Sequence, residues 1–184
     1  MASPGKRAIS AASLVILALG APGCTRKEPE APVGASDKGE PELGRSVSFE
    51  FDSLDARPVT SAALRGKVSV LVFVTTWDLL SQAQVGYVVQ MAKHDGDQVN
   101  YVLVALQDRA DRELVEEYGR TLKVTFPVAL GDPASRVGQG PLGDVHMIPT
   151  VVIVDSEGRL RWKHVGLAKN DVLRGALSRI KKGD

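Results

Sequence analysis

The stretch Val68-Ser69-Val70-Leu71-Val72-Phe73-Val74 is the densest run of β-branched residues in the chain, and it limits what the remainder can build. It is too short for a typical helix and apolar at odd and even positions alike, so a strand formed here must be covered on both faces. Tyr101 to Leu106 is a second run of the same kind. Between them, from about Asp78, Val85, Val88, Val89 and Ala92 recur at helical spacing, and Asp78 is placed to cap the helix by accepting orphan amide protons. Ala110 to Leu122 reads as another helix, with Leu114, Val115, Tyr118 and Leu122 facing inward. Strand, helix, strand, helix in that order predicts an α/β domain in which helices flank a central sheet.

On the amino-terminal side of this unit, Val47 to Phe51 alternates as a short edge strand would, and Asp52 to Val59 reads as a hairpin-like turn. Ser61 to Lys67 reads as one helical turn closed by Gly66. On the carboxyl-terminal side the pattern changes. Thr150 to Val154 is an apolar strand, Asp155-Ser156-Glu157-Gly158 is a turn signal, and Leu160, Trp162 and His164 alternate with Arg159, Arg161 and Lys163. These features predict an antiparallel hairpin. A last helix opens at Asn170 and buries Leu173, Ala176, Leu177 and Ile180.

The first residues read as an address. Lys6 and Arg7 precede an apolar stretch from Ala8 to Gly20, which has the length of a signal-peptide core and falls short of a membrane span. It ends in Leu19-Gly20-Ala21-Pro22-Gly23-Cys24, which resembles a lipobox, the site at which a leader is removed before a lipid-modified cysteine. The competing reading is an ordinary secretory signal with an incidental cysteine. Several acyl chains on Cys24 anchor a protein stably, since each buried methylene contributes about 0.8 kcal/mol. Thr25 to Arg45 is rich in Pro, Gly, Glu, Lys, Ala and Ser, the composition of a flexible tether. The expected organisation is a signal peptide over 1–23, a lipid-anchored tether over 24–45 and a folded domain over 46–184. Cys24 is the one cysteine of the chain, so the domain itself has no thiol.

A βαβ half joined to a ββα half, with Ile148-Pro149-Thr150 at the junction, resembles the thioredoxin-like and redoxin family, in particular membrane-anchored disulfide reductases of the TlpA and ResA kind. Four stretches carry the likeness: Leu64-Arg65-Gly66-Lys67, Val70 to Trp77, Phe126-Pro127-Val128, and Ile148-Pro149-Thr150 followed by Asp155-Ser156-Glu157-Gly158-Arg159. The resemblance implies a mixed central sheet and a cis bond before Pro149, a geometry that costs an X-Pro bond only about 0.5 to 1 kcal/mol. It also implies a substrate groove built from Trp77, Asp78, Ser81, Ile148 and Pro149. In that family a Thr-Trp pair is followed by Cys-x-x-Cys, whereas this chain has Asp78-Leu79-Leu80-Ser81. Neither a carboxylate nor a hydroxyl forms a mixed disulfide, so both sulfurs of thiol exchange are missing. The acid that thioredoxins bury in the central strand is replaced by Val72.

Other chemistries find less in the sequence. A metal centre needs several His, Cys or carboxylate ligands, and His146 beside Met147 with Asp78 makes a poor set, while His94 and His164 have no clustered partners. Ser81 lacks the Gly-x-Ser-x-Gly elbow of a serine nucleophile, Gly138-Gln139-Gly140 reads as loop, and Trp77 reads as a partly buried packing residue at the groove rim. A net charge of +1 with no basic stripe argues against nucleic acid. The expectation is a non-catalytic envelope lipoprotein, without cofactor or metal, that binds an envelope protein or extended peptide by strand addition. Its rivals are a thiol-disulfide oxidoreductase or peroxide reductase that borrows thiols from a partner, and a purely structural lipoprotein. Partner, membrane leaflet and oligomeric state stay open.

Overall fold

The computed structural model describes residues 43–183, all within one compact unit. The expected signal peptide, Cys24 and the expected tether up to residue 42 lie outside the described residues. In chain order the elements are β1 (Glu50–Ser53), β2 (Val59–Thr60), β3 (Ser69–Val74), α1 (Leu79–Asp95), β4 (Asn100–Ala105), α2 (Arg112–Thr121), β5 (Val128–Leu130), α3 (Pro133–Arg136), β6 (Thr150–Val154), β7 (Leu160–Val165) and α4 (Asn170–Lys182). The strands form one sheet in the order β2-β1-β5-β4-β3-β6-β7. β3, β4 and β5 run parallel, while β1, β2, β6 and β7 join antiparallel.

The run Val68 to Val74 forms β3 from Ser69 onward, and every residue of β3 is buried. Its alternation divides the core. Val70, Val72 and Val74 pack with Val85, Val88 and Met91 of α1 and with Leu173, Ala176 and Leu177 of α4. Leu71 and Phe73 face the other way, toward Phe49, Phe51, Leu142 and Val145. One side of the sheet is therefore covered by long helices, and the other by the amino-terminal segment and the loop that follows α3. Each fully buried Val, Leu or Phe contributes about 1.5–3 kcal/mol, so β3 is the strand on which the domain depends most.

One strand boundary and one helix face differ from the sequence expectation. The predicted edge strand Val47 to Phe51 begins three residues later, because the Val47 N–H donates to the Gly158 carbonyl (2.9 Å) and the Phe49 carbonyl accepts from Ser61 N–H (2.9 Å). Sheet pairing to β5 starts only at Asp52. In α2, Val115 and Tyr118 turn inward as predicted, but Leu114 is exposed. It lies one residue, about 100° of helix rotation, from Val115, and the ten-residue helix presents only a narrow stripe to the sheet.

Candidate functional site

Adjacent strands β3 and β6 bring two loops to the same end of the sheet, since Phe73 is paired with Thr150. One loop runs from Thr75 into α1, and the other holds Met147, Ile148 and Pro149. The first is set by two side chains. Asp78 caps α1, its Oδ2 accepting from Ser81 N–H at 2.6 Å, as the sequence predicted. Buried Gln107, one residue beyond Leu106 after β4, accepts the Thr76 N–H through Oε1 at 2.9 Å and ties the loop to the neighbouring strand's end. The second loop enters β6 through a cis Ile148-Pro149 bond, with the Pro149 carbonyl accepting from Gly166 N–H at 2.7 Å and the Thr150 hydroxyl donating to the Met147 carbonyl. Among the described residues, no hydrogen bond takes the backbone N–H or carbonyl of half-buried Ile148.

The predicted groove residues separate into two groups. Trp77, Asp78 and Ile148 lie at the surface or partly so, and Pro149 is buried beneath them. Trp77 was expected to be partly buried and is instead 68% exposed, because it precedes the helix and has no strand partner to hold it down. Ser81 was expected to line the groove and is fully buried. Third in α1, it shares the inward face with Gln84, Val85 and Val88, and its hydroxyl has no hydrogen-bond partner among the described residues. Sequence reasoning missed Leu79, Leu80 and Met147, which are 77%, 51% and 54% exposed. The signal was an apolar Leu-Leu pair at a helix start, outside the helix's own apolar stripe. With Trp77 they are the exposed large apolar residues near this end of the sheet, referred to below as the platform: Trp77 and Met147 in the two loops, Leu79 and Leu80 in the first turn of α1.

Helices on one side of a mixed sheet, a capped helix leaving the central strand and a cis X-Pro bond opposite it define the architecture. The fold is thioredoxin-like. No family model and no curated protein matches the sequence. Among solved structures, the chain is similar to a thioredoxin-family thiol:disulfide interchange protein from Chlorobium tepidum, with TM-score 0.64 and 22% identity over 77% of this chain and 99% of that one. It is also similar to a DsbF homologue from Corynebacterium diphtheriae, with TM-score 0.65 and 16% identity over 80% and 95%. StoA from Bacillus subtilis superposes with TM-score 0.57 and 18% identity over 73% and 98%.

Asp78 and Ser81 stand at the start of α1, no cysteine follows residue 24, and Val72 is buried in β3. Tyr118 of α2 stands nearby: burial pushes its hydroxyl up to about 12, and the charge of Asp78 reinforces the shift. The phenol is thus held neutral. His146 pairs with Asp144, His94 with Asp95 at 3.0 Å, and His164 stacks on Trp162. No group of three or more His, Cys, Asp or Glu among the described residues is arranged to hold a metal ion. Gly138 and Gly140, whose spacing carried no phosphate signature, have a packing role: a Cβ on Gly140 falls 2.2 Å from Ser135 Oγ.

Proposed function

We propose that this domain is a non-catalytic, thioredoxin-like binding module of the cell envelope that holds an extended segment of another protein. The observation that carries the reading is the set of four exposed large apolar residues near one end of the sheet, Trp77 and Met147 in its two loops and Leu79 and Leu80 in the first turn of α1. Exposed apolar side chains gathered in this way mark interaction sites. The unengaged amide and carbonyl of Ile148 add the backbone partners that strand addition uses, and Asp78 contributes a carboxylate at the edge. Anchoring through Cys24 belongs to the same proposal and rests on the leader sequence. No helix among the described residues is long and apolar enough to cross a membrane.

The likeness to disulfide oxidoreductases supports a second reading, an exchange reaction carried by partner thiols. Against it stands the chain's single cysteine, Cys24. Two measurements separate the readings. In an insulin-reduction assay the full chain should give no turnover above the reductant background. Reduced, carboxymethylated α-lactalbumin, an unfolded protein without free thiols, should bind the full chain and lose at least tenfold in affinity with Trp77→Ala and Leu79→Ser combined. Turnover above background, or binding that is indifferent to both substitutions, would reject the binding-module reading.

A further inference from the structure

The end of the sheet opposite the platform is where β3 starts, at Ser69, which is paired with Val154, the last residue of β6; Val154 in turn pairs with Leu160, the first residue of β7. The chain leading to Cys24 joins the domain here. The Gly44 N–H donates to the Leu160 carbonyl (2.7 Å), and the Leu160 N–H donates to the Arg45 carbonyl (3.0 Å). Leu43 is nineteen positions from Cys24, a separation of at most about 70 Å however the intervening residues are arranged.

The same end collects cations. α4 runs in the direction of α1, since Ala168 is hydrogen-bonded to Gln84, Arg174 lies 3.9 Å from Asp95 at the end of α1, and the charge of Lys181 reaches Asp95 as well. Arg179, Lys181 and Lys182 occupy the last turn of α4, Lys93 the last turn of α1, and Arg65 and Lys67 the segment before β3. All six are exposed, and none has an ion pair among the described residues. The acids Asp55, Asp95, Asp155 and Glu157 at this end are already ion-paired, which leaves Asp97 among the described residues. Cations in a last turn also suit the helix dipole, but Arg65 and Lys67 stand outside any helix.

We propose that this basic end is a docking surface for anionic phospholipid headgroups, so that the anchored domain rests on the membrane with its platform turned outward. The inference rests on the Cys24 anchor within the proposed function. A lipid anchor keeps the membrane within reach of the point where the chain leaves the domain, and the cations gathered at that point are attracted to a negative lipid surface, each strengthening the contact roughly fivefold. The platform, at the other end of the same sheet, is then presented to proteins of the envelope space.

The test uses the full chain, matured in a bacterial envelope and purified in detergent, then reconstituted into vesicles of phosphatidylcholine alone or with about 30 mol% phosphatidylglycerol. Flotation with both kinds of vesicle reports the anchor. Trace acetylation followed by mass spectrometry reports the surface: Lys181 and Lys182 should react at least about fivefold more slowly on the anionic vesicles than on the neutral ones. Lys169, at the opposite end of α4, should react equally on both. Sodium chloride at about 0.5 M should remove the protection, because it screens charges across an exposed contact. Arg65→Gln combined with Arg179→Gln keeps the lysine reporters and should remove most of it. Flotation with equal acetylation of Lys181 and Lys182 on the two kinds of vesicle overturns the docking surface and leaves the anchor intact. Equal protection on both, which marks the tether or a second copy as the occupant, overturns it too. No flotation with either kind of vesicle overturns the anchor and the docking surface together.

Discussion

Asp78 holds the start of α1. Its carboxylate satisfies an amide of the first turn at 2.6 Å and sits at the positive end of the helix dipole. Asp78→Ala should cost about 0.5–2 kcal/mol in chemical denaturation. Tyr118→Phe should do the reverse: its hydroxyl has no hydrogen-bond partner among the described residues, so the melting temperature should stay level or rise, and a loss above about 1 kcal/mol would reveal a partner for that hydroxyl. At the far end of α1, burial works against the charge of Asp95. The Tyr101 hydroxyl at 2.5 Å, His94, and the charges of Lys181 and Arg174 nevertheless hold its pKa below the ordinary carboxylate value. The same contact and burial raise Tyr101. Because the folded-state pKa of Asp95 is the lower one, its contribution is complete above an unfolded pKa of about 4 and fades as pH falls through the folded value. Asp95→Asn should therefore cost about 1.5–3 kcal/mol at pH 7 and markedly less at pH 3, read from urea titrations at both.

α1 is joined to the approach to α4 by one side chain. Buried Gln84 accepts from the Ala168 N–H at 2.7 Å and donates to the Ala168 carbonyl at 3.1 Å. Gln84→Leu keeps the volume but strands both backbone groups, so a loss of about 2–5 kcal/mol is expected, measurable by urea denaturation. The β6–β7 hairpin uses a different device. Asp155 Oδ1 accepts from the amides of Glu157 (3.0 Å) and Arg159 (2.9 Å), and Gly158 turns the chain at φ +83°. Both devices were legible to different degrees. Asp155-Ser156-Glu157-Gly158 announced a turn through residue type alone, whereas Gln84 looked like any polar residue of an amphipathic helix. Its partner lies 84 positions away, and no local pattern encodes that distance.

Across the whole molecule, a thioredoxin-like fold is combined with a chain whose single cysteine is Cys24, and the proposed equivalence of Asp78 and Ser81 to a redox pair can be tested by placing sulfurs there. Asp78→Cys with Ser81→Cys puts two thiols at an i, i+3 spacing at the start of α1, close enough to meet. The double variant should close an intramolecular disulfide, seen by mass spectrometry under oxidising conditions. It should turn over insulin weakly at most, because Val72 supplies no proton acceptor in β3. A folded double variant with both thiols free would show that these positions are not the redox pair. At the amino terminus, Cys24→Ala should release the protein into the soluble envelope fraction or leave its precursor uncleaved, read by fractionation and immunoblot.

Sequence by itself determined the strands β3, β4, β6 and β7, the Asp78 cap and the missing thiols, because these depend on local properties, whereas the short strands β2 and β5 carried no such signal. A seven-residue apolar run buries whichever partner it meets, an aspartate before a helix finds the nearest amides, and a chain with one cysteine cannot place two. Only the tertiary structure decided which side chains of the predicted groove reach solvent. Ser81 and Trp77 are four residues apart, yet Ser81 turns toward Gln84 and Val85 in the core while Trp77 projects from the sheet end. The same holds for Leu114, Leu79 and Leu80. Their apolar character is plain in the sequence, but burial is a property of what packs against a residue, and that is settled by elements far away along the chain.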